Sequence, residues 1–294
     1  MNPHSNSPFD LNDNHAYKIW RDKKLATAPT DISALIVDVK DLNNLSNTEK
    51  SALSASIKVC NMAIYASAQG QDGNKHMMCQ FGRRFGLEQL DHNMGADDDG
   101  ITELEVKTDP LHGRYIPYSD RAIHWHTDGY YNTPQQTIRG LLLHCVEPAA
   151  KGGENALLDH ELAYIHLRDI NPAYIRALMQ PDAITIPANI IDGKTIRPAR
   201  SGPVFSIDSQ GNLHMRYTER VRNIEWKDEP EVSEAIKALV NLMHSDVHYV
   251  YRGTLQPGQG LICNNVLHDR SAFENSDNQT RLLYRLRYYD RIAI

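Results

Sequence analysis

The sequence predicts a mainly β fold, a sandwich or barrel-like core with flanking helices. Three observations predict it. From residue 123 onward, short β-type segments bounded by Gly, Pro, Asn and Asp dominate the chain. Only a few stretches carry helical spacing, and they are well separated. No internal repeat, low-complexity tract or sharp change of composition divides the 294 residues. One domain over 1–294 is therefore expected, with its core at about 115–291 and a helix-and-strand lead-in over 1–114.

Residues 1–30 read as irregular or weakly helical. Ile32 to Val39 is apolar and β-rich, which predicts a strand. Asn47-Thr48-Glu49 opens a helix expected to run to about Ser67, with its alanine-rich face on the sheet. Residues 70–122 hold Gly, Asp and Pro clusters and little periodicity, the kind of long connection that walls a site. Within it, Asp97-Asp98-Asp99-Gly100 reads as a solvated acidic turn, because the spaced acids and closing Glu of a calcium loop are missing. Strands are then expected at 137–146, 183–187, 195–198, 203–207, 212–217, 247–252, 260–265 and 281–289. Helices interrupt them at 159–167, 171–179 and 231–243, the last with Val232, Ile236, Leu239, Val240 and Met243 on one stripe.

Apolar residues make up 41% of the chain and charged residues 23%, a balance that supports a substantial core. The formal charge of −6 supplies no basic face, so nucleic acid is not an expected partner. The polar opening lacks an apolar signal core, and no run of about 20 apolar residues occurs. Neither a membrane partner nor export is expected. The four cysteines, Cys60, Cys79, Cys145 and Cys263, form no C-x-x-C pair. That excludes a disulfide framework and fits a cytoplasmic, reducing setting. A homo-oligomer stays open.

The chemistry concentrates in Ala122-Ile-His-Trp-His-Thr-Asp-Gly-Tyr-Tyr-Asn132. On an extended chain, His126 and Asp128 point to the same side, so an imidazole and a carboxylate can reach one ion. Gly129 lets the backbone turn away at once. A third ligand must come from elsewhere. Gly258 to His268 reads as a turn, an apolar strand and a histidine at its end. Two histidines and one carboxylate with open positions make the facial triad of non-haem Fe(II) oxygenases. Arg281 follows His268 by 13 residues (281 − 268) and shares a strand face with Arg285 and Arg287. Arginines aimed inward beside a metal need an anionic partner, and a guanidinium grips a carboxylate in two places. Tyr130 and Asn132, just after the ligand Asp, are candidates to line a substrate cavity. Arg216 stands in a cluster with Arg197, Arg200, Arg220 and Arg222 that could read a substrate carboxylate, sulfonate or phosphate. His124 is read as packed or solvent-touching, with the alternative that it replaces one of the ligands or touches a ligand from behind.

In combination and order, His126-Thr-Asp128, Leu142-Leu-His-Cys-Val146, Gly152-Gly-Glu-Asn155, His268 and Arg281 resemble the taurine dioxygenase/TfdA-like family of 2-oxoglutarate oxygenases. Within it, they are similar to the γ-butyrobetaine hydroxylase and clavaminate synthase branch. The resemblance covers about residues 115–291. It implies a double-stranded β-helix (jelly-roll, cupin-like) core and Fe(II) held by His126, Asp128 and His268. It implies Arg281 on a carboxylate of 2-oxoglutarate, with Arg285 helping and O₂ as oxidant. Asn155 stands where the family often has a threonine that contacts 2-oxoglutarate. The implied reaction hydroxylates, desaturates or cyclises a small polar or anionic metabolite, such as an amino-acid derivative, and releases succinate and CO₂. Two readings of the residues remain beside it. One is a metal-binding cupin-type hydrolase or isomerase, which has no need of Arg281. The other is a non-catalytic ligand-binding protein on the same scaffold.

Overall fold

Two sheets face each other, and the inner side chains of one alternate along every strand with outer ones that meet helices. The computed structural model describes residues 7–68, 74–92, 100–109, 112–113, 115–220 and 224–294. The larger sheet runs in the order Ile36–Asp38, Met62–Ala66, Gln259–Cys263, Gly140–Glu147, Leu282–Tyr288, Thr102–Leu104. The smaller runs Tyr251–Gly253, Asn155–Leu158, Leu267–Arg270, Ile123–His126. Every pairing is antiparallel except that of the first two strands of the larger sheet.

The two-residue period decides what goes where. Leu141, Leu143 and Cys145 point inward, with Leu261, Cys263 and Leu283 of neighbouring strands and with Leu157 and Tyr251 of the facing sheet. Leu142, Ile262, Tyr284 and Leu286 point outward, onto Leu53 and Ile57 of the helix Asn47–Cys60 and Met77 and Phe81 of the helix Lys75–Arg83. The helices His160–Ile170, Pro172–Leu178 and Pro230–Met243 cover the smaller sheet through Leu162, Ile175 and Leu239. This is the double-stranded β-helix that the sequence resemblance implied, mostly strand with flanking helices. No helix among the described residues is long and apolar enough to cross a membrane.

The N-terminal third departs from the sequence reading in instructive ways. The helix expected to reach Ser67 ends at Cys60, because Asn61 takes the left-handed conformation (φ 60°). Met62–Ala66 then enters the larger sheet as a strand whose Met62, Ala63, Ile64 and Tyr65 are all buried. A strand buried on both faces shows no alternation, and its apolar run continues that of the helix before it. The expected strand at 32–39 begins instead as a 3₁₀ turn, Ile32–Leu35, with Asp31 accepting from the Ser33 amide, and only Ile36–Asp38 is extended. The helices Asn14–Thr27 and Lys75–Arg83 exceed expectation, and each is capped by the residue before it, Asp13 and Asn74. Lys24 ties the first helix to the sandwich by an ion pair with Asp159 at 2.6 Å, and Asn61 Nδ2 donates to the same carboxylate at 2.9 Å. The acidic stretch 97–99 lies outside the described residues.

One buried histidine makes acid sensitivity predictable. His160 is 1% exposed and its Nε2–H can donate to the Leu213 carbonyl at 3.1 Å, leaving Nδ1 without a partner. Burial, opposed by Asp159 and Glu161, lowers its pKa below the ordinary histidine value. The unfolded chain then takes up this proton before the folded one does, so stability falls as pH drops below about 6.5. Replacing His160 with glutamine is expected to lessen the slope of that limb of a melting-temperature-against-pH curve, to which the buried His126 and His214, both pushed down to about 3, also contribute. An unchanged slope below pH 6.5 would show that His160 is not one of the groups responsible.

Candidate metal centre

Strand register brings the first two ligands together. His126 ends the strand Ile123–His126, and His268 lies directly opposite it in the strand Leu267–Arg270. Directly opposed residues share a face, and the two ring centroids are 4.3 Å apart. Each ring is fixed through its own backbone. His126 Nδ1 faces the His124 carbonyl at 2.9 Å, and His268 Nδ1 faces the Val266 carbonyl at 2.9 Å. A carbonyl accepts only, so Nδ1 carries the hydrogen and Nε2 presents its lone pair. Asp128 Oδ1 lies 3.8 Å from His126 Nε2, and ligand atoms of His126, Asp128 and His268 all fall within 4.8 Å of one another.

The donor set fits a divalent metal on three counts. Asp128 Oδ2 is buried and has no hydrogen-bond partner, which is costly unless a cation occupies the site. Burial, and then the neighbouring His268, push the His126 pKa down to about 3, so the ring is a neutral ligand. Burial would raise the Asp128 carboxyl, but Arg285, Arg287 and the two imidazoles outweigh it and hold it well below the carboxylate range. Two neutral nitrogens and one carboxylate leave half an octahedron open.

Asn265 supports the triad, and the sequence reading missed it. It is 1% exposed and sits at φ 49°. Its Oδ1 accepts from the Asp128 amide at 2.8 Å, while its Nδ2 donates to the carbonyls of Asp128 at 3.0 Å and Ile138 at 2.7 Å. Gly129 then turns at φ 69°, where an added Cβ would meet Ile138 Cγ1 at 2.4 Å. Asn265→Ala is expected to weaken metal affinity about 10–100-fold, as loss of groups that orient ligands does. A metal titration by calorimetry checks this, and an affinity within twofold of the parent would exclude the supporting role.

Beyond the triad, the inner face of the strand Leu282–Tyr288 is cationic. Arg285 Nη1 lies 3.3 Å from Asp128 Oδ1. Arg287 pairs with Asp91 and donates to the Tyr131 hydroxyl at 2.9 Å, and Tyr289 donates to the other Asp91 oxygen at 2.7 Å. Arg281, just before the strand, is 4% exposed. Its guanidinium packs 5.1 Å from the Phe273 ring, beside Gly153, with one long bond to the Leu104 carbonyl at 3.4 Å. No carboxylate among the described residues pairs with it, and burial pushes its pKa down to about 10. Arg270, 4% exposed, is in the same position: burial and then Arg281 push it down to about 9. It donates to the carbonyls of Ser119 (2.8 Å) and Arg121 and was not singled out from the sequence.

The other expected residues fall as follows. Asn155 Nδ2 donates to the Asp269 carbonyl at 2.7 Å, and the side chain borders a slot of about 90 Å³ shared with His268, Leu143 and Leu157. Tyr130 lies edge-on to Tyr131, ring centroids 5.1 Å apart. Asn132 Nδ2 donates to the Gln136 carbonyl at 2.9 Å, closing its own turn. Arg216 does not face a substrate space: its guanidinium is spent on the carbonyls of Tyr130 (2.6 Å), Ile184 (3.2 Å) and Arg200 (2.8 Å). Its role is to hold those three segments in place, and the expectation of a substrate contact gives way to that. The His124 side chain is exposed and Trp125 is core, 1% exposed.

A jelly roll carrying a two-histidine, one-carboxylate triad with a buried arginine along the same inner face defines a class, the non-haem iron oxygenases that use 2-oxoglutarate. Family comparison agrees. The model of the taurine catabolism dioxygenase TauD, TfdA family matches residues 26–287, and the chain belongs to that family. Membership of that family makes Fe(II)- and 2-oxoglutarate-dependent oxidation of a small molecule the activity to propose for the site. A uridine-5'-phosphate dioxygenase of Amycolatopsis sp is 28% identical over 173 residues, 56% of this chain, and the chain spans 60% of that protein's length. One from Streptomyces sp is 30% identical over 198 residues, 64% of this chain and 69% of its own length. Two solved structures share the fold. Asparagine oxygenase with Fe(II), 3-hydroxyasparagine and succinate superposes with a TM-score of 0.55 at 11% identity, covering 86% of this chain and 93% of its own. PvcB, an Fe, α-ketoglutarate-dependent oxygenase from an isonitrile synthetic pathway, gives 0.54 at 12% identity, with 87% and 85% covered.

Proposed function

We propose that His126, Asp128 and His268 hold one Fe(II), that Arg281 anchors the distal carboxylate of 2-oxoglutarate, and that the chain oxidises a small anionic metabolite as a single catalytic domain. The observation that carries this reading is the pairing of two imbalances on one inner face. Asp128 has a buried oxygen in want of a cation, and Arg281 is a buried cation in want of an anion. Bound iron and 2-oxoglutarate supply O₂-dependent oxidation coupled to decarboxylation, with succinate and CO₂ as products. The chain's own residues orient that chemistry. The two histidines keep fixed tautomers, and Asn265 fixes the turn that aims Asp128. Arg270 adds positive charge beside Arg281, and a mostly apolar slot borders Asn155 and His268 on that side. Arg285, 3.3 Å from Asp128 Oδ1, adds a positive charge that would help hold an anionic ligand beside the metal.

A hydrolase on the same scaffold gives Arg281 no task. The uridine-5'-phosphate relatives support a nucleotide-like metabolite as the first substrate to try. Motif similarity to the γ-butyrobetaine hydroxylase and clavaminate synthase branch supports an amino-acid derivative as the second. The free, mostly buried cysteines support a reducing, cytoplasmic setting. The test is an anaerobic titration of the protein with Fe(II) and 2-oxoglutarate, followed by a metabolite screen for substrate-stimulated succinate. A weak visible charge-transfer band is expected in the first step. If no band forms and no metabolite stimulates succinate release, the assignment is wrong.

A further inference from the structure

The arginines grouped around Arg216 carry no further site: Arg216 and Arg197 are spent on main-chain carbonyls, and Arg222 lies outside the described residues. A different pair of arginines shares a cavity. It measures about 780 Å³ and lies where the helix Asn47–Cys60, the turn at 208–212 and residues 289–294 meet. None of His126, Asp128, His268, Arg281 and Arg285 lines it. Its cations are Lys58, Arg139 and Arg291, and its acids are Glu161, Asp208 and Asp290. Each acid already faces protein donors. Glu161 pairs with Lys24. Asp208 accepts from the amides of Gln210 and Asn212, both at 2.9 Å, and Asp290 from those of Glu88 (2.8 Å) and Gln89 (2.6 Å). The guanidinia are placed differently. Arg139 Nη1 donates to the Tyr289 carbonyl at 3.2 Å, which holds it against the segment that carries Arg291. Arg291 Nη2 donates to Asn61 Oδ1 at 2.8 Å, and Asn61 is itself fixed by Asn264 Nδ2 at 3.0 Å and by Asp159. Among the described residues neither guanidinium has a carboxylate within ion-pair distance, and each keeps most of its N–H donors for a ligand. Both side chains are half-buried, and burial lowers the Arg291 pKa more than Glu161, Asp208 and Asp159 restore it.

We propose that Arg139 and Arg291, with the exposed Lys58 beside them, form a second ligand site that takes a small dianion, a phosphate monoester or a dicarboxylate. A half-buried guanidinium without an anion is unfavourable, and two of them in one cavity also repel each other. A dianion relieves both costs, whereas a monoanion leaves one cation unmatched. The planar fork of a guanidinium suits carboxylate and phosphate oxygens alike. The volume lies within the range of about 300–1,000 Å³ usual for small-molecule sites. Two wall residues, Asn264 and Arg139, adjoin Asn265 and Ile138, which bond to each other at 2.7 Å, so the cavity backs onto the turn that aims Asp128. The proposal stands apart from the oxygenase reading, because its residues require neither iron nor 2-oxoglutarate.

The test is a calorimetric titration of the full chain, first metal-free and then loaded anaerobically with Fe(II) and 2-oxoglutarate. The probes are inorganic phosphate and malonate, with acetate as the monoanion. At least one dianion is expected to bind more tightly than about 1 mM, equally in both states, since two charge-assisted contacts are at stake. Acetate should bind at least about 10-fold more weakly, and the tighter of the two dianions names the anionic group. Arg139→Gln and Arg291→Gln should each weaken that dianion about 10-fold or more. Because Arg291 also holds Asn61, a second pair of variants avoids any loss of structure. Ser209→Glu and Lys58→Glu change exposed wall residues, so each should weaken the dianion by charge alone while the melting temperature holds. Arg281→Met, outside the cavity, should leave dianion binding as it is. Dianions that bind no better than acetate overturn the site. So does binding that survives both Arg139→Gln and Ser209→Glu. Binding that is lost in Arg281→Met, or on loading with 2-oxoglutarate, overturns it too, because the anion then occupies the co-substrate pocket.

Discussion

Asp128→Ala is expected to lower metal affinity by more than about 100-fold, beyond the loss seen when a merely supporting group is removed, and to abolish substrate-dependent succinate release. Three physical losses coincide. One of three ligands goes. The only negative charge of the triad goes with it. Arg285, 3.3 Å from that carboxylate in the parent and only 11% exposed, is left unpaired and facing any incoming cation. The fold itself is expected to persist, because Asn265 clasps the main-chain amide and carbonyl of residue 128 and not its side chain. A far-ultraviolet spectrum and a melting curve should therefore resemble those of the metal-free parent, while metal titration is flat. Asp128→Asn keeps the shape and loses the charge, and it should behave nearly as badly. Retained succinate release within about tenfold of the parent in either variant would falsify the role of Asp128, since ligand loss has no milder expected outcome.

That site was readable in part because its signals are local. His126 and Asp128 stand two residues apart, His126 at the end of its strand and Asp128 in the turn after it, while His268 lies not at the end of the apolar strand Gln259–Cys263 but in the next one, Leu267–Arg270. Arg281 stood out as a cation at the start of an apolar segment. What escaped the sequence depends on tertiary contact. Asn265 looks like any turn asparagine until its left-handed backbone brings its amide against residues 128 and 138. Arg216 sat in a promising cluster, but its acceptors are carbonyls 86, 32 and 16 residues away, which no pattern discloses. The strand Met62–Ala66 hid for another reason: both its faces are covered, so nothing in its composition separates it from the end of a helix.

Arg281→Met is expected to raise the KM for 2-oxoglutarate by about 30-fold or more, in line with the 2–5 kcal/mol lost when one partner of a buried charged contact is truncated. The ligand-free protein should respond in the opposite direction. Arg281 is buried with no carboxylate partner among the described residues and makes a long bond to the Leu104 carbonyl, so its charge is a cost until 2-oxoglutarate arrives. Methionine has a similar volume and no charge to desolvate, and apolar replacement of an uncompensated buried ion is neutral or stabilising. The melting temperature without 2-oxoglutarate should therefore hold or rise, while the rise caused by added 2-oxoglutarate shrinks with its affinity. Arg281→Lys tests geometry separately, because it keeps the charge and loses the two-pronged grip, and an intermediate KM is expected. A purely structural arginine predicts the reverse pattern, a lower melting temperature for the methionine variant and an unchanged KM in the molecules that remain folded. The split between those two readouts decides whether the buried cation beside Cys145 is there for the fold or for the dicarboxylate.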